Sequence, residues 1–360
     1  METFSFFRLL FISTLTILVS EIPAQDIHFS QFAQNPLNVN PAQAGTTTWV
    51  RGLLEYRTQW RAVTVPYKTI DASCDMKVHP DLIKKENVVT TLRPVAKKEF
   101  GVGVNVLSDK AGDGNMGTLQ ANFTGSYHIK NTEKSLISLG LQAGFIQRSI
   151  NFGKLHWGNQ YDSSQPTGYN PAIDPKENYS NYHFIIPDVS AGLFYVYKKN
   201  EQYMFGKEQM DIMFGTAIYH INHPKYSLSK NEKLYSRYVV HGQGIIGIPN
   251  TNMAVVPGIM YTFQYPNQEL FFGTMFRHMF REDSRYTNFI KGSAISAGGY
   301  YRNKDAVVLA TFWEFTNYGI GISYDINLSG LKAASTGRGG LEFTLRYLNP
   351  SPFYFNKGSL

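Results

Sequence analysis

Residues 135–147 read SLISLGLQAGFIQ, and their alternation decides the fold. Ile137, Leu139, Leu141, Ala143 and Phe145 fall on one side, with Ser138, Gly140, Gln142 and Gly144 on the other. Successive side chains of a strand point to opposite faces, so a period of two with divided faces reads as a half-buried antiparallel strand. The same division runs through FGVGVNV (100–106), YGIGISYDI (318–326) and LEFTLRY (341–347). The second face is unusual. A soluble sandwich solvates that face with Lys, Glu and Thr, whereas here it is often Gly, Ser, Asn and Gln. Tyr, Phe and Trp gather near the strand ends. Apolar positions toward lipid, aromatic girdles and a polar lumen describe a transmembrane barrel. Only closure lets strands satisfy every backbone group inside a bilayer.

The predicted fold is therefore all-β: a transmembrane antiparallel up-and-down β-barrel of about fourteen strands. The segments are 49–59, 66–78, 98–108, 117–129, 135–148, 187–199, 208–221, 232–243, 251–264, 268–280, 289–302, 305–316, 318–327 and 339–348. An even count places both termini in the periplasm, the long polar connection 150–186 outside the cell, and the short turns at 130–134 and Asn317 inside. The connection 79–97 is then periplasmic, long and basic, with Lys84, Lys85, Arg93, Lys97 and Lys98 at or beside it. Gly scattered through the strands marks curvature or close approach of another backbone.

The rest of the chain agrees with a membrane setting. FFRLLFISTLTILV (6–19) followed by Glu21-Ile22-Pro23-Ala24 reads as a signal peptide, its apolar core too short for an anchor. The expected organisation is a signal peptide at 1–24, an N-terminal extended segment at 25–48, the barrel at 49–348 and a tail at 349–360. Charged residues make up 17% of the chain, against roughly 25% in typical soluble domains. Cys74 is the single cysteine, which excludes an intrachain disulfide framework. The formal charge of +7 becomes +8 without the leader, since Arg8 against Glu2 and Glu21 carries a net −1 and 7 − (−1) = 8. No Lys/Arg cluster or nucleic-acid module accompanies that charge, so outer-membrane lipid headgroups or an anionic partner are expected, and no nucleic acid.

The search for chemistry finds no enzyme. There is no G-x-S-x-G and no H-E-x-x-H. His220 and His223 sit three apart at a strand end, a spacing that turns their rings to opposite faces unless the chain makes an irregular turn. SDKAGDGNMG (108–117) lacks calcium-loop spacing, and its Asp, Gly and Asn suit a tight turn. Trp49, Tyr56 and Trp60 with Arg51, Arg57 and Arg61 read as an interfacial girdle plus lumen charges. Cys74, between Asp71 and Asp75, has no cation in sequence to activate it. No catalytic, metal or cofactor residue is expected. A passive porin or small-molecule channel is the alternative reading.

One stretch belongs to neither strands nor leader: HFSQFAQNPLNVNPAQAG (28–45). Two Asn-Pro steps bias it toward extended or turn geometry. Its amides can pair with backbone or lumen groups without the cost of burying charge. The segment is expected to pack, ordered, at the periplasmic mouth or up in the lumen, anchored by Phe29, Phe32 and Leu37. Ser30, Gln31, Asn35, Pro36, Asn40, Pro41, Ala44 and Gly45 complete this candidate partner or plug segment.

Four stretches resemble the PorP/SprF-like outer-membrane proteins of the type IX secretion and gliding machinery. They are DIHFSQFAQNPLNVNPAQAG (26–45), RTQWRAVTVPYKTIDASCDM (57–76), MFGTAIYHINHP (213–224), and FWEFTNYGIGISYDINLSGL with GRGGLEFTLRY (312–347). The chain departs from the family pattern at Thr46–Thr48, at Gly339-Gly340 and in the expanded 79–97 connection. The resemblance implies a barrel without enzymatic activity. Its implied partners are type IX secretion components, or a secreted cargo carrying a type IX C-terminal domain whose export or surface attachment the barrel serves.

Overall fold

Every alternating segment is a strand in the computed structural model. It describes residues 27–60, 65–78, 98–130, 134–176, 182–199, 210–225, 233–281, 292–329 and 338–349. The strands are β1 (Val50–Gln59), β2 (Tyr67–Val78), β3 (Lys98–Ala111), β4 (Met116–Lys130), β5 (Ser135–Ile150), β6 (Tyr182–Lys199) and β7 (Met210–Tyr219). They continue as β8 (Arg237–Gly247), β9 (Met253–Gln264), β10 (Asn267–Arg281), β11 (Ser293–Arg302), β12 (Ala306–Phe315), β13 (Tyr318–Asn327) and β14 (Arg338–Asn349). Each pairs antiparallel with its neighbour in sequence, and β1 pairs with β14, so fourteen strands form one closed up-and-down barrel. The leader at 1–24, the connection at 79–97, Arg61 and residues 350–360 lie outside the described residues.

Two strand starts moved by five residues each, for identifiable reasons. The sixth strand is expected to begin at residue 187. Yet β6 begins five residues earlier, since Tyr182–Ile186 pair with Ile146–Ile150 of β5. At the other limit β8 starts at Arg237, because Leu234 is instead bonded to Pro224 across the β7–β8 connection. The 108–117 stretch makes the expected tight turn, with the Asn115 N–H on the Gly112 carbonyl at 3.0 Å.

Burial is inverted relative to a soluble protein. On β5, Leu139 and Leu141 are 50% and 68% exposed, while Ser138 and Gln142 are 0% and 3%. On β13, Ile320, Ile322 and Tyr324 face out, and Ser323 and Asp325 face in. Cys74 is exposed on the outer surface while Asp71 and Asp75 are buried toward the lumen. Aromatic pairs ring both ends of the outer wall. At the proximal end, where β1 starts and β14 finishes, Phe100 meets Tyr127 at 5.2 Å and Tyr318 meets Tyr347 at 5.3 Å. At the distal end Trp60 meets Tyr67 at 5.1 Å and Tyr235 meets Tyr265 at 5.2 Å. Along β10 the girdles are marked by Phe272 and Phe280, a separation of about 20 Å at an ordinary rise and tilt, close to the apolar band of an outer-membrane barrel.

The lumen is polar along only part of its circumference. Glu55, Asp71, Asn105, Asn122, Thr124, Ser138 and Gln142 turn inward from β1 to β5. From β7 to β12 the lumen instead carries Ala217, Tyr219, Val239, Met260, Phe271, Met275, Tyr300, Val308, Ala310 and Phe312 in one apolar cluster with Phe32 and Val39, interrupted by the buried polar groups Asp211, His241, Ser296 and Arg302. The expected polar lumen is thus corrected to a two-sided one.

Leu141→Arg places a cation on the lipid face near mid-strand and should cost about 2–4 kcal/mol. Tyr161→Arg, in the exposed β5–β6 connection, should stay within about 0.5 kcal/mol. Urea unfolding in lipid vesicles reads both, and equal costs would contradict the lipid-facing assignment.

Candidate functional site: the N-terminal segment inside the lumen

The stretch 28–45 is not extended along its length. Phe32–Gln34, Pro36–Val39 and Pro41–Gln43 each make a single helical turn. Each Asn-Pro step starts one of them, because proline at the first helical position has a suitable φ and an N–H that would go unbonded anyway. Asn40 is extended, with φ −162°, and its Oδ1 accepts the Ala42 N–H at 2.9 Å as an N-cap. The Asn40 N–H reaches the Pro36 carbonyl at 2.8 Å, and the Gln34 N–H reaches Gln31 at 2.8 Å. Local turns therefore satisfy much of the backbone, and the side chains are free to address the wall.

They address it on all sides. The Asn40 amide donates to the carbonyls of Leu193 (2.9 Å) on β6 and Thr216 (3.2 Å) on β7, and lies 3.1 Å from His241 Nε2 on β8. Ser138 Oγ on β5 donates to the Ala42 carbonyl at 2.7 Å. Ser126 Oγ on β4 donates to the Ala44 carbonyl at 2.8 Å, and the Gly45 N–H binds Asp75 of β2 at 2.8 Å. Asn35 spans two carboxylates, Glu55 at 2.6 Å and Asp71 at 2.7 Å. The N–H groups of Ser30 and Gln31 both donate to Glu342, each at 2.8 Å. Arg346 also donates to Gln34 Oε1.

The apolar side of the segment meets the apolar arc. The Phe32 ring packs edge-on against Phe271 (5.6 Å, 85°) and Tyr300 (6.1 Å, 78°). Phe29, Phe32, Leu37 and Val39 are all at most 6% exposed. The wall is shaped to the segment as well. A Cβ at Gly140 would overlap the backbone of Ala42, and one at Gly192 would overlap the Asn40 side chain. Both glycines are required by this close approach.

The segment has a direction. Gly45 and Thr46 lie at the proximal end, beside Asp75 and Arg51. Ile27 and His28 lie toward the distal end, with Gln264, Asn267, Gln268 and Glu269 around the β9–β10 turn. The chain thus descends through the lumen before turning back as β1.

Buried charges cluster where the segment meets β1, β11, β13 and β14. Arg57 donates to Asp325 at 2.8 Å and to the His28 carbonyl at 2.7 Å. Arg302 donates to Asp325 at 3.1 Å and to Ser30 Oγ at 3.1 Å. Elsewhere Arg51 binds Asp75 at 2.7 and 2.9 Å. Of the aromatic and arginine stripe at 49–61, Arg51 and Arg57 are lumen groups and Trp60 belongs to the girdle. His220 and His223 have left β7 in a turn, with the His223 N–H on the His220 carbonyl at 3.1 Å, and His220 Nδ1 pairs with Asp188 at 2.8 Å. Among the described residues no group of three His, Cys, Asp or Glu is arranged to hold a metal. Sequence reading missed the partners Glu342, Asp325 and Arg302, because strand alternation marks them only as inward.

Gly192→Val should displace the Asn40 turn at an overpacking cost of about 1–3 kcal/mol, so amides of 32–44 should exchange roughly 5- to 150-fold faster. Exchange in the unaltered protein at the rate of a free peptide would contradict the packing described.

The chain matches the family model described as "Type IX secretion system membrane protein PorP/SprF" over residues 22–347. No curated protein matches it. Among solved structures it is similar to the CymD monoaromatic hydrocarbon channel, at 10% identity over 90% of this chain and 94% of that one, with a TM-score of 0.42. BamA from Haemophilus ducreyi lacking POTRA domains 1–3 is similar at 10% identity over 84% and 70% of the two chains, with a TM-score of 0.41. Nothing about substrate or partner passes to this chain at that level of likeness. The family match spans nearly the whole barrel and its N-terminal segment, and the chain belongs to the PorP/SprF family of type IX secretion membrane proteins.

Proposed function

We propose that this outer-membrane barrel serves export or surface attachment of a cargo carrying a type IX C-terminal domain, or links the outer membrane to the periplasmic ring of the apparatus. The observation that favours such a role over a passive porin is the occupied lumen, with wall contacts from Ser30 to Gly45 on β1 through β8, β13 and β14. A lumen filled this way suits a membrane anchor that offers its ends to partners. It does not suit a conduit. The matching family is one of type IX secretion membrane proteins, which supports a secretion role.

In this reading the proximal end, with Trp49 and Asn349, faces the periplasm. The β5–β6 connection then faces outward with Tyr161 exposed, and Ile27 sits nearer the cell surface than Trp49.

Deletion of the gene should leave a particular type IX cargo retained in the periplasm or shed into the medium, read by mass spectrometry of surface, periplasmic and medium fractions. Identical fractions in deletion and parent strains would remove this role. Surface labelling of Tyr161→Cys in intact cells, in a Cys74→Ser background, should succeed. Labelling only after lysis would reverse the orientation.

A further inference from the structure

We infer that residues 28–35 are a closure latch, the element that selects and holds the pairing of the first strand with the last. Among the strand pairings, β1–β14 joins the two ends of the barrel: Val50 pairs with Asn349 and Thr58 with Leu341. Closing so long a loop carries the largest entropic cost in the barrel, and non-local pairing of this kind is slow. Glu55, Arg57, Asp325 and Glu342 lie buried at this seam, and the segment's polar groups complete them. Glu342 of β14 accepts the N–H groups of Ser30 and Gln31. Asp325 of β13 accepts Ser30 Oγ at 2.7 Å and Arg57 of β1 at 2.8 Å. Asn35 holds Glu55 of β1, which also accepts from Thr344 of β14 at 3.2 Å.

The bonds of 28–35 therefore land on both sides of the seam, whereas Asn40 bonds only to β6–β8. A one-residue slip of β14 would turn Glu342 and Thr344 toward lipid and leave the N–H groups of Ser30 and Gln31 without their acceptor. The latch thus fixes register as well as closure. Buried ionic groups are best attested in that role.

The test is disulfide formation across paired, lipid-facing positions in a Cys74→Ser background, with oxidant added to folded protein in vesicles. Leu54→Cys with Leu345→Cys reports the seam, and Leu141→Cys with Ala191→Cys reports β5–β6. Directly opposite residues on antiparallel strands lie within disulfide range. Combining Ser30→Ala with Asn35→Ala, which removes the segment's side-chain bonds to Asp325 and Glu55 and leaves the Arg57 pairs of the wall intact, should slow the seam cross-link roughly tenfold or more, the scale of one lost charge-assisted hydrogen bond, and leave β5–β6 unchanged. Asn40→Ser should leave both cross-links at their original rates. The latch is refuted if the seam cross-links at full rate in the Ser30/Asn35 variant. It is equally refuted if β5–β6 slows to the same extent, or if Asn40→Ser slows the seam as much.

Discussion

Fourteen strands close around a space wider than their own inward side chains can fill. An eight-stranded barrel packs its interior with the wall alone, and larger ones leave a channel or take a plug. The rest of this structure depends on how that space is filled. The chain fills it with its own residues 28–45, whose turns present amides on one side and Phe32 and Val39 on the other. The wall is divided to match, mainly polar from β1 to β5 and mainly apolar from β7 to β12. Neither arc makes physical sense alone: an apolar lumen arc facing water would forfeit its burial, about 25 cal/mol per Å².

The polar contacts have the same logic. A buried amide left without a partner costs about 1–3 kcal/mol, so Asn35 and Asn40, both nearly inaccessible, are affordable only with their carboxylate and carbonyl partners in place. Arg57 and Arg302 converge on Asp325, and Ser30 lies within hydrogen-bond reach of all three. Removing one member of such a group strands the others in a low-dielectric setting, which couples the segment's position to the wall's integrity.

Much of this was legible in the sequence, and for clear reasons. Period-two patterning is set by strand geometry, so Ile137 to Phe145 and Tyr318 to Ile326 declare their faces without tertiary information. The glycines scattered through the strands pointed to curvature or close approach, and the fold shows that Gly140 and Gly192 serve close approach and what approaches them. The mixed character of the lumen was harder to see. Strand β12, AVVLATFWEF, is apolar on both faces, with Val308, Ala310 and Phe312 inside and Leu309 and Trp313 outside. A doubly apolar strand in a barrel implies an apolar occupant, and that signal stood in the sequence unread. The helical turns at Pro36 and Pro41 were hidden because an Asn-Pro step restrains the Asn toward extended geometry while leaving the proline free to begin a turn.

Membership of the PorP/SprF family sets this barrel within type IX secretion, and the filled lumen narrows what a barrel can contribute there. The account turns on the lumen being occupied in the intact protein in a membrane, and single-protein conductance in planar bilayers tests that most directly. The packing of residues 28–45 predicts no steady open channel from the full mature chain. A large, stable, ohmic conductance from that same chain would contradict it.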